Sequence, residues 1–398
     1  MEYISLYKAF NKYDNETYNE LYQQRFNSEA TIKLFLKING HTSFLFFPNE
    51  LNYLLNSIRA MDKRIEQIFS KLPEVAKKQY QKKSMIDEIE FSNSIEGVIS
   101  TRKDINDIIE EVQIKNKKQE RLSGIINKYM LLKDAISIEL NDAKDIRTLY
   151  DEMLYEEIKQ SDVKNLPDGV LFRRESVSVT TSTGKIIHTG ILPEEKIISS
   201  LDEALNILND EKLDATIRVA LFHYIFAYIH PFYDGNGRIN RFIASYVLSQ
   251  NYASIIGYRL SLTIKEHLSD YYDAFKYTND IRNKGDITLF VIEFLKILLK
   301  AYEKTELYAL EKLKTLTMYK HIIYQGNEDK KIKDILFILI QVEIFSEFGL
   351  SVGDISSISE YSINTVRNRI NILKEKKLIK EINIGKRIYY SANLENMK

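Results

Sequence analysis

Twelve consecutive residues, 230–241, combine side chains that suit chemistry on a phosphate group. An imidazole has an ordinary pKa of about 6.5, so it can act as a base near neutral pH. A carboxylate, together with phosphate oxygens, forms a typical Mg2+ ligand set. The segment predicts a site that holds a polyphosphate beside a proton acceptor. Its chemically suitable residues are His230, Asp234, Gly235, Asn236, Gly237, Arg238 and Arg241.

Two predicted helices would position this segment. Residues 214–229 are apolar at nearly every position, which predicts a helix buried on most sides. Pro231 disfavours helical geometry at the preceding His230 and should end that helix there. From Gly237 onward apolar residues recur at helical spacing, and Asn236 is expected to be the N-cap of this second helix.

The start of the second helix is a predicted anion site. Glycines let a ligand approach the backbone closely, and the unpaired N–H groups and helix dipole there favour negative charge. Arg238 and Arg241 are three residues apart and project from one side of the same first turn. Two cations are unfavourable at this end of a helix unless an anion compensates them.

The segment resembles the signature of Fic (Fido) domain proteins, His-x-Phe-x-Asp-Gly-Asn-Gly-Arg-x-x-Arg, at every fixed position. Most characterised members transfer AMP from ATP to a hydroxyl side chain of a protein. The resemblance implies that His230 deprotonates that hydroxyl, that Asp234 holds Mg2+ on the α- and β-phosphates, and that Phe232 is a buried anchor. The implied phosphate contacts are Gly235, Asn236, Gly237, Arg238 and, for the γ-phosphate, Arg241.

A second motif, Ser92 to Gly97, resembles the inhibitory motif Ser/Thr-x-x-x-Glu-Gly/Asn of many Fic proteins. Residues 85–95 predict a helix on which Ser92 and Glu96 share a face, with Gly97 as the stop. A glutamate in the last turn of a helix gains from a cationic partner. The resemblance implies that this partner is Arg241, which then cannot hold a γ-phosphate. We therefore expect autoinhibition, with a surface capping arrangement as the alternative.

Two further segments resemble parts of the family. Residues 175–180 and 185–188 flank a Ser182-Thr183-Gly184 turn and predict a β-hairpin, which resembles the flap that aligns the target segment by strand addition. A plain surface hairpin is the alternative. Residues 271–279 resemble the segment that closes over the adenine, but the same aromatic spacing is typical of a core. The implied adenine pocket consists of Tyr272, Phe275 and Asn279.

Composition limits the class of protein. The 398 residues carry 56 basic and 56 acidic side chains, so no global charge directs the chain to nucleic acid or membrane. The sequence has no cysteine, which excludes disulfides, thiolate metal sites and cysteine nucleophiles. It shows no apolar run of the roughly 20 residues that span a bilayer, and no signal-peptide pattern. We expect a cytoplasmic protein without membrane contact.

The expected fold class is mainly α: a Fic helical core with a β-hairpin flap, a small N-terminal hairpin region and a C-terminal winged helix-turn-helix domain. The N-terminal hairpin is predicted about the Asn39-Gly40 turn. The expected division is 1–84 for the N-terminal region, 85–300 for the Fic domain with its inhibitory helix, 301–330 for a connecting helix and linker, and 331–398 for the last domain.

The C-terminal region, 331–398, resembles a winged helix-turn-helix domain in the order of its predicted elements. A helix capped by Ser362 is followed by a hairpin about Gly385. These polar and basic side chains suit DNA contact, and they equally suit a winged helix that docks on protein. The side chains expected to be exposed on the recognition helix and the wing are Asn364, Arg367, Asn368, Asn371, Lys386 and Arg387.

The leading function is an autoinhibited protein adenylyltransferase that transfers AMP from ATP to Tyr, Ser or Thr of a target protein, or of itself, and releases pyrophosphate. Attack on the α-phosphate would depend mostly on positioning and charge neutralisation. The reverse-direction alternative is de-AMPylation, with Glu96 orienting a water. The alternative from another class is a DNA-binding transcriptional regulator whose Fic core senses nucleotide. Each of these functions is compatible with a homodimer.

Overall fold

A computed structural model of the chain describes residues 3–113, 122–133, 136–180, 186–384 and 387–397. These residues are mainly helical, which confirms the expected fold class at that level. They form 17 α-helices: α1 (Leu6–Lys12), α2 (Asn15–Phe26), α3 (Asn49–Ser70), α4 (Glu74–Ile95), α5 (Arg102–Gln113), α6 (Ser123–Lys133), α7 (Ala143–Met153), α8 (Tyr155–Ser161), α9 (Glu194–Leu208), α10 (Ala215–Ile229), α11 (Asn236–Asn251), α12 (Leu260–Glu266), α13 (Leu268–Thr278), α14 (Thr288–Gln325), α15 (Lys330–Phe345), α16 (Val352–Ser359) and α17 (Ile363–Glu375).

The strands of the described residues pair into two-stranded antiparallel sheets. They are β1 (Thr31–Ile38), β2 (His41–Phe46), β3 (Ser178–Thr180), β4 (Ile186–Thr189), β5 (Ile379–Ile384) and β6 (Arg387–Ala392). The hairpin β1–β2 turns at Asn39 and Gly40, which both have positive φ, as a two-residue hairpin turn requires. The predicted N-terminal hairpin is therefore confirmed.

The chain divides into two compact units. The first unit comprises Met1–Asp62 and Ile86–Tyr302, and the second comprises Lys63–Met85 and Glu303–Lys398. The domain boundaries expected at residues 84, 300 and 330 stay predictions. No helix of the described residues is both long and apolar enough to cross a lipid bilayer.

Helices α10 and α11 lie against each other in the core of the first unit and carry the 230–241 segment between them. Helix α10 begins after Asp214, whose side chain accepts a hydrogen bond from the N–H of Thr216. It is buried on nearly every side because α9 and α11 both pack on it. The apolar pattern of residues 214–229 predicted this helix and its burial.

Two predicted helices extend further than their sequence patterns indicated. The helix expected over 85–95 is the last half of α4, which begins at Glu74, directly after Pro73. The connecting helix expected over 301–316 is the middle of α14, which has 38 residues. No glycine or proline interrupts residues 288–325, so nothing in the local sequence ends the helix earlier.

The second unit contains α15, α16 and α17, followed by the hairpin β5–β6. Ser351 and Asp354 form a capping box at the start of α16, and Ser362 accepts a hydrogen bond from the N–H of Thr365 as the N-cap of α17. The Ser362 cap was predicted. Gly385 and Lys386, named for the predicted wing, lie outside the described residues.

Candidate functional site

His230 occupies the left-handed C-cap position of α10, with φ of 52°. Its N–H donates to the carbonyl oxygen of Phe226 at 2.9 Å, so the backbone of the residue is fixed by the end of the helix. Phe232 is fully buried, and its ring stacks on Tyr150 with 4.1 Å between ring centroids. The helix end at His230 and the burial of Phe232 confirm the sequence predictions for these two positions.

The cap of α11 differs from the prediction. Gly235, with φ of 90°, is the N-cap residue, and Asn236 is the first residue of the helix. The Asn236 amide instead donates to the carbonyl of Phe232 at 2.8 Å and accepts from its N–H at 2.9 Å. The prediction of Asn236 as N-cap was therefore wrong. A left-handed backbone at the cap position favours glycine, and the asparagine side chain closes the loop from inside.

Glu96 lies over the first turn of α11. Its Oε1 is 2.8 Å from Nη1 of Arg241, which is the ion pair that the family resemblance implied. A Cβ atom at Gly237 would lie 1.9 Å from the same Oε1. The carboxylate therefore occupies the space directly above the glycine at the helix start, where the backbone favours an anion.

Arg241 is buried, at 1% exposure. Besides Glu96, it contacts Ser92 twice: Nε donates to the hydroxyl at 3.1 Å and Nη2 donates to the carbonyl oxygen at 2.8 Å. Burial alone would lower the pKa of Arg241, but the charge and hydrogen bond of Glu96, together with the nearby Tyr271 and Tyr129, outweigh burial and the pKa is raised. Gly97 ends the segment with φ of 73°.

Sequence reasoning missed a second carboxylate on the same face of α4. Glu88 is fully buried and accepts hydrogen bonds from the N–H of Ser261 at 2.7 Å, from its hydroxyl at 2.5 Å and from the Ser245 hydroxyl at 3.2 Å. Burial raises the pKa of Glu88 to about 7. The available signal was spacing, because Glu88, Ser92 and Glu96 follow one another at four-residue intervals, the first two on α4 and the third directly after its end.

One cavity of about 200 Å3 in the first unit brings many of the predicted site residues together. His188, on β4, also lines it and was not predicted as a site residue. Asp234, Gly235, Arg238, Ser92 and Gly97 do not line the cavity. The predicted residues that do are Glu96, His230, Asn236, Gly237, Arg241, Tyr272, Phe275 and Asn279.

The three residues expected at the adenine lie on α13 and just after it. Tyr272 is 49% exposed, whereas Phe275 packs against Phe290 with 4.4 Å between ring centroids. The side chain of Asn279 accepts a hydrogen bond from the hydroxyl of Tyr224 at 2.5 Å. This part of the cavity is therefore aromatic, with one fixed amide, and it suits a planar base. That it binds adenine stays a prediction.

Asp234 and Arg238 lie beside the cavity. The Asp234 side chain is 38% exposed, and its Oδ1 accepts from the N–H of Gly235 at 2.5 Å and from Arg238 at 3.3 Å. Among the described residues, no group of three or more His, Cys, Asp or Glu forms a metal site. A single accessible carboxylate fits Mg2+, which takes most of its ligands from water and phosphate.

Arg238 is 1% exposed, and its Nη1 donates to Glu157 on α8 at 2.9 Å. We expect Glu157→Ala to lower the free energy of unfolding by about 3–5 kcal/mol, because it leaves a buried guanidinium with less compensation. Urea denaturation measures this change. Glu156→Ala, on the same helix but exposed, is the matched control and should change stability little. Equal effects of the two substitutions would contradict the expectation.

The His230 imidazole is held neutral. Burial, followed by the positive charge of Arg173 and the neighbouring His188, lowers the pKa of His230 to about 4. A hydrogen bond with the backbone of Ala227 and the charge of Glu96 act in the opposite direction. Because the folded-state pKa lies below the ordinary value of about 6.5, the neutral form is retained until the pH falls well below that value.

This pKa gives a pH prediction for any reaction in which His230 is the base. We expect kcat/KM to stay level between about pH 8 and about pH 6 and to fall by half near pH 4. A histidine with an ordinary pKa would lose half its activity near pH 6.5. The pH profile of a Glu96→Gly variant measures this. The substitution also removes the one charge that raises the pKa of His230, so it cannot move the half-loss to higher pH. A half-loss near pH 6.5 would contradict the expectation.

The predicted flap corresponds to the hairpin β3–β4, in which Ser178 pairs with Thr189 and Val179 with His188. Its turn residues, 181–185, lie outside the described residues. The His188 ring packs on Tyr228 with 4.2 Å between ring centroids, and its Nε2 lies 2.5 Å from the Tyr228 carbonyl oxygen. The hairpin therefore passes directly beside the cavity that His230 lines.

Residues 140–248 match the model of a protein family described as the Fic/DOC family. The chain is 32% identical over 124 residues to the "Protein adenylyltransferase Fic" of Drosophila melanogaster, covering 31% of this chain and 23% of that protein. The protein of the same name from Drosophila mojavensis has the same identity, with 22% of it covered. The chain thus spans less than a quarter of these curated relatives.

Among solved structures, a Fic family protein from Desulfovibrio desulfuricans G20 is similar over 85% of this chain and 96% of that chain, with 17% sequence identity and a TM-score of 0.49. The family match and the relatives show that the chain contains a Fic/DOC domain. The matched segment includes residues 230–241. It includes neither Ser92 to Gly97 nor residues 331–398, so the roles of those two parts are proposals.

Proposed function

We propose that the chain is an autoinhibited protein adenylyltransferase that transfers AMP from ATP to a hydroxyl side chain of a target protein. The observation that carries the proposal is that the neutral imidazole of His230 and the glycine-lined start of α11 face one cavity. The former is a proton acceptor and the latter an anion site. The curated relatives are named protein adenylyltransferases, and residues 140–248, which match the family model, include both features.

In the proposed reaction, His230 accepts the proton of the target hydroxyl while its oxygen attacks the α-phosphorus of ATP. A new oxygen–phosphorus bond forms, the bond from the α-phosphorus to the bridging oxygen breaks, and pyrophosphate leaves. The N–H groups at Gly237 and the charge of Arg241 hold the phosphates, and Arg238 orients Asp234 through their contact at 3.3 Å. Mg2+ bound at Asp234 would neutralise charge on the phosphates. Most of the rate then comes from positioning.

The proposed autoinhibition follows from where the Glu96 carboxylate lies. It pairs with the Arg241 guanidinium and fills the space above Gly237, and a γ-phosphate would need both of these features. A carboxylate and a phosphate cannot share this place without strong repulsion. ATP bound beside an intact Glu96–Arg241 pair would then have its triphosphate displaced from the in-line position. The resting protein is therefore expected to transfer AMP slowly.

The direct test uses ATP labelled at different phosphates. A Glu96→Gly variant is incubated in cell lysate with α-labelled or γ-labelled ATP, with His230→Ala introduced alongside, and the labelled band is analysed by mass spectrometry. Label from the α-phosphate alone supports AMP transfer. Label from the γ-phosphate that is lost with His230→Ala shows phosphoryl transfer by this chain and overturns the proposal. Self-modification is expected to appear first, so the physiological target is taken only from bands other than the enzyme itself.

The same site supports the reverse-direction candidate. Glu96 and His230 line one cavity, so a water held by the carboxylate could attack the phosphorus of an AMP–protein bond and release AMP. Incubating an AMP-modified target with the unsubstituted chain distinguishes the two directions. Loss of the modification that depends on Glu96 supports hydrolysis, and a stable modification supports transfer.

For residues 331–398 we propose a winged helix-turn-helix domain. The exposed face of α17 carries Asn364, Arg367, Asn368 and Asn371, as the sequence predicted. Much of the nearby positive charge is neutralised inside the unit, because Arg369 pairs with Asp329, Lys374 with Glu381, Lys376 with Glu328 and Lys380 with Glu343. This pairing leaves fewer cations to contact the phosphates of DNA. A DNA-binding regulator is therefore the second candidate function, after the adenylyltransferase.

The DNA-binding candidate is tested with the full chain. Selection from a random duplex library at increasing salt should enrich one sequence and show a steep salt dependence if α17 contacts DNA. Arg367→Ala would then weaken binding. Weak binding without sequence preference would leave protein docking as the role of this face.

A further inference from the structure

Arg173 is a fully buried arginine of the first unit whose role the sequence did not reveal. Among the described residues its guanidinium makes no ion pair and instead donates to backbone carbonyl oxygens. Burial lowers its pKa, which only the nearby Tyr233 opposes. A buried cation without a carboxylate partner is costly, so its hydrogen bonds must compensate. They run from Nε to His230 at 2.8 Å, from Nη1 to Glu175 at 2.7 Å, and from Nη2 to Ile191 at 3.0 Å and Ile229 at 3.4 Å.

These four carbonyls belong to two structural features. Ile229 and His230 form the C-terminal end of α10, where the helix dipole leaves partial negative charge that favours a cation. Glu175 precedes β3 and Ile191 follows β4, so they are the two roots of the hairpin. One planar guanidinium therefore joins both roots of the hairpin to the segment that carries the imidazole.

The packing around Arg173 is close. A Cβ atom at Gly190 would lie 2.3 Å from Nη2 of Arg173 and 3.1 Å from Cβ of His230, so only glycine fits there. The N–H of Ile191 donates to the carbonyl oxygen of Ile229 at 3.0 Å. The N–H of Arg173 donates to the carbonyl oxygen of Pro231 at 3.3 Å. The hairpin root and the end of α10 are thus joined by backbone hydrogen bonds, and the guanidinium joins them a second time.

We propose that Arg173 is a positioning residue that sets the distance between the hairpin β3–β4 and the imidazole of His230. The inference rests on the proposed function, in which His230 accepts the proton of the target hydroxyl, and it takes the hairpin as the flap to whose edge the target strand adds, as the family resemblance implies. A displacement of about 1 Å in such an arrangement can cost about a hundredfold in rate. The charge of Arg173 acts on His230 as well, together with His188 from β4 and Glu96 just after α4.

The test compares Arg173→Lys, which keeps the charge but loses the planar fork, with Arg173→Met, which loses both. Both are made in the Glu96→Gly background, with the exposed neighbour Arg174→Met as the matched control. We expect both Arg173 variants to lose roughly 10- to 100-fold in kcat/KM for the protein target, with the affinity for ATP unchanged. The control should behave like the parent.

Two readouts do not depend on AMP transfer. Hydrogen exchange of the Gly190 and Ile191 amides should be faster in both Arg173 variants, because the hairpin root is less firmly held. The imidazole of His230, followed by NMR, should titrate at higher pH in Arg173→Met and change less in Arg173→Lys. A purely structural role would lower the unfolding midpoint without this difference between lysine and methionine.

Each outcome decides the inference. It is overturned if Arg173→Lys keeps both full kcat/KM and slow exchange at Gly190 and Ile191. It is also overturned if both variants lose ATP affinity and target turnover equally, since that pattern indicates general loss of structure. If Arg173→Met does not fold, the lysine variant decides. If Glu96→Gly transfers no α-label while the exchange and titration change as expected, the proposed function fails and the positioning of His230 by Arg173 stands.

Discussion

Replacing Glu96 by glycine is expected to raise AMP transfer by roughly 10- to 100-fold. The substitution removes the carboxylate that lies 2.8 Å from the Arg241 guanidinium and fills the space above Gly237. Hydrogen bonds to charged groups contribute about 1.5–3 kcal/mol, and each 1.4 kcal/mol corresponds to a factor of about ten. The freed guanidinium can then bind the γ-phosphate. The measurement is incorporation of α-label into protein per unit time.

A matched control separates the loss of the carboxylate from the effect of a glycine at the end of α4. Ser94→Gly changes the same turn of the helix but leaves Glu96 in place, so it should leave the basal rate unchanged. Equal activation by both substitutions would show that loosening the helix, rather than removing the charge, relieves the block. A Glu96→Gly variant no faster than the parent would contradict the inhibitory role altogether.

Replacing His230 by alanine in the Glu96→Gly background is expected to lower transfer by about 10²- to 10⁴-fold, the usual contribution of a general base. Affinity for ATP should be largely retained, because the proposed phosphate contacts come from α11 and not from the imidazole. The measurement pairs a transfer assay with calorimetric titration of ATP. A low pKa keeps the imidazole neutral, so this loss should be the same from about pH 8 to about pH 6.

The matched control for the loss of a histidine is His267→Ala. This residue lies between α12 and α13 and does not line the cavity, so transfer should be unchanged. Full transfer by the His230→Ala variant would remove the imidazole from the reaction and leave only positioning by the phosphate site. Loss of ATP binding together with transfer would instead assign His230 to the binding of nucleotide.

The features that the sequence predicted well are local. Pro231 and the apolar run before it determined the end of α10 at His230. The four-residue spacing of Ser92 and Glu96 determined that both reach one partner. That this partner is Arg241, 149 residues beyond Ser92, came from the family resemblance, and the contacts at 2.8 Å and 3.1 Å confirm it.

The features that the sequence did not predict depend on distant parts of the chain. Arg173 and Glu88 are buried although charged side chains usually lie on the surface. Nothing near Arg173 in sequence shows its burial, and the one local signal for Glu88 was its four-residue spacing from Ser92. Their partners are backbone carbonyls and serine groups that only the tertiary structure brings close. The error at Asn236 has the same origin, since its side-chain amide is hydrogen-bonded to the backbone of Phe232 within the closed loop.

The Glu96–Arg241 pair has a consequence for how the protein could be regulated in solution. Both residues belong to one polypeptide, so their encounter is unimolecular and its effective concentration does not depend on how much protein is present. Dilution therefore cannot separate them, and the activity per molecule should be the same at nanomolar and micromolar protein. Any activator has to compete for one of the two side chains or pull α4 away from α11.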